Sequence, residues 1–221
     1  VPRMVLASRS PARLATLKAA GVRPDVLVSG VDEERVLSDA ATRFGDLDPV
    51  DAVLILAQAK AEDVASTLES GEHEMLAVEG DEIVVGCDSM LEIDGEIYGK
   101  PAGPDEARER WRAMRGGRGV LHTGHWIVDL RDDESGGTGA TIGSTSSTTI
   151  WFADLDDEEI DAYVATGEPL EVAGAFTIDG LGGPYVERIE GDHHGVVGLS
   201  LPLLRELLAE IGIPWRALRA A

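Results

Sequence analysis

Apolar, strand-like runs alternate with capped helical segments along this chain, with no clean linker between them. That alternation points to an α/β fold built on a mixed sheet. Val5 to Ala7 reads as a short buried strand, after which Ser10 offers an N-cap and Pro11 a first helical residue. Leu14, Leu17 and the stop at Gly21 then give a helix. Val26 to Ser29 suggests a further strand leading to the acidic "VDEE" at Val31 to Glu34, read as a charged loop. From Pro49 to Leu68, the apolar residues Val53, Leu56, Ala57, Ala61 and Val64 recur at helical spacing. Glu82 to Cys87 is strand-like and closes at Asp88, and Asp94-Gly95 marks a hairpin turn in "EIDGEIYGKP". Pro104 to Arg115 predicts a helix, Val120 to Leu130 and Thr148 to Leu155 long strands, Asp156 to Thr166 a short helix, and Pro202 to Ile211 a last amphipathic one. Between the long strands, residues 131–147 are rich in glycine and serine and read as a flexible loop insertion in a single domain spanning 1–221.

The 221 residues carry a formal net charge of -22, with 43% hydrophobic and 27% charged side chains. Such a composition favours a folded globular chain. The acidic balance repels nucleic acid polymers and anionic membranes alike. No apolar run approaches the roughly 20 residues of a membrane span, and the N-terminus lacks a signal-peptide core. A cytoplasmic protein is the expectation. Cys87, the single cysteine, excludes an internal disulfide and a cysteine cluster for zinc.

Against that acidic background, "VLASRSPARLATLKAAGV" stands out. A strand, a serine-rich loop and a helix N-terminus together offer backbone N–H groups and a positive dipole end to an anion. Ser8 and Ser10 add hydroxyls, and Arg13 a guanidinium fork suited to phosphate. Asp88 sits where open α/β sheets place ligand chemistry and suits a divalent cation or a proton from water. Lys100, held between Gly99 and Pro101, and Lys60 on its helix are candidate phosphate cations. One of Asp32, Glu33 and Glu34 in the acidic cluster is a candidate to share Mg²⁺ or Mn²⁺ with Asp88. His122 and His125, three apart on a strand, fall on opposite faces, and His193-His194 reads as a loop feature. "GLGG" at Gly180 to Gly183 lacks the lysine and helix of a phosphate-binding loop.

In their order and spacing, "LASRSPARLATLKAAGV", "VDEE", "LAQAKA", "VVGCDSM", "GEIYGKP", "EPLEVAGAFTIDGLGG" and "GVVGLSL" resemble the Maf family of nucleoside triphosphate pyrophosphatases, from about Val5 to Leu208. The resemblance implies an elongated mixed sheet flanked by helices, two lobes with a central cleft as in Maf and ITPase folds, and a homodimer. It implies hydrolysis of a nucleoside triphosphate substrate between its α- and β-phosphates. Asp88 takes the catalytic acid–base position, while Ser8, Arg13, Glu33, Lys60 and Lys100 match polar positions of the pocket. Where pyrimidine-selective members show an arginine, a threonine and a glutamine, this chain has Ala12, Ser89 and Asp179, so its base preference is expected to differ. Asp88 as metal ligand and Asp88 as base for water both stay open. So do two other functions, a nucleotide-binding regulator of septum formation and a metal-dependent phosphohydrolase of another metabolite.

Overall fold

The computed structural model describes residues 2–71 and 79–219. These form, in chain order, β1 (Arg3–Leu6), α1 (Pro11–Ala19), β2 (Asp25–Val26), α2 (Glu33–Phe44), α3 (Pro49–Glu69), β3 (Glu82–Ile93), β4 (Glu96–Tyr98), α4 (Pro104–Met114), β5 (Arg118–Asp129), β6 (Thr141–Phe152), α5 (Asp157–Ala165), β7 (Val186–Glu190), α6 (His193–Val197) and α7 (Leu201–Glu210). Short 3-10 turns occupy Glu168–Glu171, Ala173–Ala175, Gly183–Tyr185 and Trp215–Leu218. The strands of the described residues join one seven-stranded sheet in the order β2-β1-β3-β5-β6-β7, with β4 added to the far half of β3. β1 runs parallel to β2 and β3, and the pairs from β3 through β7 are antiparallel, which makes the sheet mixed.

Sequence patterning accounts for most helix starts. Ser10, Asp48, Asp156 and Ser200 are N-caps whose side chains accept a backbone N–H of the first turn, and Pro11, Pro49 and Pro202 follow three of them. Such caps each contribute about 1 kcal/mol.

β3 passes through two separate cores. On one face of the sheet its first half, Ile83, Val85 and Cys87, packs with Leu6, Leu17, Ile127 and the α7 leucines. Farther along the same face, Leu91 and Ile93 pack with Trp111, Met114, Ile150, Phe152 and Tyr163. Each fully buried side chain of this size contributes about 1.5–3 kcal/mol. Ser89 interrupts the apolar row between the two cores. On the opposite face α3 lies flat against β3 and β5, and two glycines permit it. A Cβ at Gly86 would stand 2.2 Å from the Ala57 carbonyl, and one at Gly124 2.3 Å from that of Val53.

Five expectations are corrected. β3 does not end at Asp88 but continues to Ile93, because its ladder with β5 runs unbroken from Ile83 to Glu92. "VDEE" opens α2, with Asp32 as N-cap and Glu33 and Glu34 in a first turn where the helix dipole favours acids. Of residues 131–147, Thr141 onward belongs to β6, where pairing with β5 overrides the weak strand propensity of glycine and serine. The shorter connection before it is tied down by Asp129, which accepts from Arg131 Nε, Thr138 N and Thr138 Oγ1. His193 and His194 start the one-turn α6, capped by Asp192. The strand expected at Val26–Ser29 is the two-residue β2. No helix of the described residues is long and apolar enough to cross a membrane.

Candidate active site

Asp88 faces α3, and the close approach allowed by Gly86 and Gly124 brings Lys60, one turn beyond Ala57, onto it. Lys60 Nζ donates to Asp88 Oδ1 at 2.5 Å and pairs with Glu33 Oε1 at 2.7 Å. Asp88 is 8% exposed. Burial pushes its carboxyl above the ordinary range, against the opposing pull of Lys60 and Arg13. A carboxylate raised in this way is a better proton acceptor than an exposed one. Glu33, in the first turn of α2, is half exposed and meets the lysine from the other side.

Across the sheet from Asp88, Ser89 faces Arg13. The Arg13 guanidinium is turned onto the protein: Nε donates to Gly198 O at 2.7 Å, Nη1 to Ser8 Oγ at 3.0 Å and Cys87 O at 2.9 Å, and Nη2 to Ser89 Oγ at 3.1 Å. The two-donor fork expected to take phosphate is therefore a strut joining α1, β3 and the α6 turn. Ser89 is equally committed. Thr123 Oγ1 donates to Gly195 O, so the 2.9 Å bond between Ser89 and Thr123 has Ser89 as donor. Ser8 Oγ accepts from Ser10 N as well as Arg13, and Ser10 caps α1. Ala12, next to them, is half-buried.

Lys100 and Asp179 are placed differently. Both are exposed, and among the described residues neither makes a hydrogen bond or ion pair with the Lys60–Asp88 centre. Asp179 lies on a loop wrapped around Glu168. Glu168 accepts from Tyr163 OH at 2.9 Å, Thr177 Oγ1 at 2.6 Å, Leu181 N at 2.9 Å and Gly182 N at 3.0 Å. Despite burial, these bonds hold its carboxyl below the usual range. Gly180 and Gly182 let the wrap close, since a Cβ at either would come within 2.4 Å of Glu168 Oε2 or Tyr163 OH. The interior glycines of "VVGCD" and "HTGH" were the available signals for the α3 contact. Glu168 had no local signal, because its partners come from a loop closed by the fold.

Among the described residues no group of three or more His, Cys, Asp or Glu is arranged to hold a metal. Mg²⁺ shared with substrate phosphates needs only one or two protein carboxylates, and Asp88 and Glu33 on either side of Lys60 supply that number. The donor set therefore fits such an ion only together with a phosphate ligand. The histidines serve the scaffold. His122 Nε2 donates to Glu92 and its Nδ1 is hydrogen-bonded to Ser147 Oγ. His125, on the other face, accepts Ser200 N at the start of α7 through Nε2 and donates to Thr123 O through Nδ1. A cavity of about 400 Å³ lined by Glu92, Asp94, Arg118 and Thr149 contains none of the candidate residues.

The family model described as Maf-like protein matches residues 3–211. Relatives named nucleoside triphosphate pyrophosphatase include one from Salinispora tropica, 54% identical over 96% of this chain and 85% of its own. Another from Leifsonia xyli is 51% identical over 98% and 96%, and one from Streptomyces coelicolor is 50% identical over 95% and 91%. Among solved structures, the Staphylococcus aureus Ham1 protein aligns over 98% of this chain and 93% of its own at 14% identity, with a TM-score of 0.36, too low to bear on the fold.

Proposed function

The chain belongs to the Maf family, and from that membership and its buried Lys60–Asp88 pair we propose that it hydrolyses nucleoside triphosphates between the α- and β-phosphates, releasing monophosphate and pyrophosphate. The pair is the observation that carries the reading. A carboxylate pushed up by burial, with a cation bonded to it, is what a water-activating base beside a polyphosphate requires.

Lys60 occupies Oδ1 of Asp88, which leaves Oδ2 to take a proton from the attacking water. As the water oxygen bonds to the α-phosphorus, the bond from that phosphorus to the bridging oxygen breaks. The electron pair leaves with pyrophosphate. Lys60 fixes the carboxylate and, with Lys100 from its exposed loop, offsets charge building on the phosphate oxygens. Ser8 and Ser10 frame the N-terminal end of α1, which favours an anion. Glu33 would hold a Mg²⁺ or Mn²⁺ ion, whose contribution when bound is to neutralise phosphate charge; Asp88 Oδ2 would serve as its second ligand only in place of its role as base. Arg13 acts through the backbone it ties together. Base choice falls to the loop bearing Asp179, whose carboxylate only accepts when ionised and so favours the amino group of cytosine or guanine. A nucleoside triphosphate substrate suits the cytoplasm.

The test is pyrophosphate release from UTP, dTTP, CTP, GTP and ATP with Mg²⁺ or Mn²⁺. Release by the wild type and its loss in Asp88→Asn, folded by circular dichroism, is the expected result. Orthophosphate as the first product, or undiminished turnover by Asp88→Asn, would reject the reading.

A further inference from the structure

Lys100 is exposed, yet the backbone on both sides of it is held from a single helix. The carbonyl of Gly99 accepts Arg110 Nη1 at 2.6 Å and Gly174 N at 3.1 Å. Two residues beyond Lys100, the amide of Ala102 donates to Glu106 Oε2 at 2.8 Å. Glu106 Oε1 in turn accepts Arg110 Nη2 at 2.6 Å, one turn along α4. The pair thus grips the loop at Gly99 and Ala102 and closes on itself. Arg110 is 4% exposed, a depth at which a cation is seldom kept without a purpose. Its guanidinium lies 4.9 Å from the centre of the Tyr98 ring, just before the loop. The arrangement restrains the backbone, and among the described residues the Lys100 side chain makes no hydrogen bond or ion pair of its own.

We infer that Arg110 and Glu106 are positioning residues for Lys100, holding its backbone so that the ammonium is aimed at the substrate's phosphates without being bonded to the protein. This rests on the reading of Lys100 as a phosphate cation. A flexible four-carbon cation on a loose loop would have to be ordered in each turnover, whereas one on a clamped loop has less freedom to lose. The Arg110-to-Gly99 and Glu106-to-Ala102 bonds also join the loop to the element that carries Trp111. The Trp111 indole donates to Ala175 O at 2.7 Å, so the Lys100 loop and the turn before Asp179 share one support.

The test is a double-mutant cycle on pyrophosphate release from the best nucleotide among UTP, dTTP, CTP and GTP, combining Arg110→Met with Lys100→Met. Lys100→Met is expected to lower kcat/KM by about 10–100-fold and Arg110→Met by about tenfold. In the Lys100→Met background Arg110→Met should then cost nothing more, while any drop in melting temperature stays the same in both backgrounds. Glu106→Gln keeps the side-chain shape and provides a variant that folds if Arg110→Met does not; its smaller loss should vanish in the same background. Additive losses in the cycle would overturn the clamp while leaving Lys100 its role. Wild-type turnover by Lys100→Met would remove that role and the clamp with it.

Discussion

The two sides of the candidate site are built on opposite plans. On the α3 side, Asp88 and Lys60 hold one another directly and Arg13 bonds the Cys87 carbonyl beside them, in a part of the molecule where Asp88 is buried and α3 touches the sheet backbone. On the α4 side, Lys100 and Asp179 stand exposed while other residues, Arg110, Glu106 and Glu168, hold the backbone beneath them. The contrast separates two tasks. A proton acceptor needs a shifted, water-poor environment, so it is built from charges that stabilise each other. Groups that meet a ligand need free donors and acceptors, so their order comes from the main chain.

If that contrast holds, Lys60→Met is the largest single blow, because it strips the bonded cation from a buried carboxylate. It should cost about 3–5 kcal/mol of stability in urea unfolding as well as activity, whereas Lys100→Met should leave the unfolding midpoint unchanged. Equal effects of the two on stability would break the comparison. The buried side should also weaken in acid. Burial, aided by Arg13, lowers His125 to about 4, and an unfolded histidine titrates near 6.5. As pH falls through 6.5 the unfolded chain takes up a proton that the folded one refuses, so stability is lost progressively down to about pH 4. The loss is on the order of 3 kcal/mol, and it should be missing from the pH dependence of unfolding in His125→Gln. Gly124→Ala, which drives a methyl toward the Val53 carbonyl, should cost about 1–3 kcal/mol and lower kcat through the displaced Lys60. On the exposed side, Glu168→Gln should cost only about 1 kcal/mol yet alter the ranking of bases in substrate competition. An unchanged ranking there and in Asp179→Gln would mean that this loop does not choose the base.

The sequence made the α3 side more legible than the α4 side, and the reason is chemical. Asp88, Lys60 and Arg13 are conspicuous residue types in constrained settings, next to strand, helix and cap signals that can be read within a few positions. Arg110 and Glu106 look like any charged pair on an exposed helix. Glu168 looks like any loop acid until Thr177, Leu181 and Gly182 fold back on it. The Ser- and Gly-rich start of β6 was read as a loop because its own propensities say so; only the partner strand makes it extended.

Local chemistry along the chain was therefore enough to determine the α/β class, most helix starts and the Asp94-Gly95 hairpin, since caps, periods and turns act over a few residues. What each candidate residue does was decided by the tertiary structure. Arg13 became a strut because its strongest acceptor, Gly198 O, lies 185 residues away. Asp88 became buried against Lys60 because two glycines on neighbouring strands let a helix from elsewhere in the chain close over it. Hydrogen bonds and burial act through space, and their partners are fixed only when the sheet has brought them together.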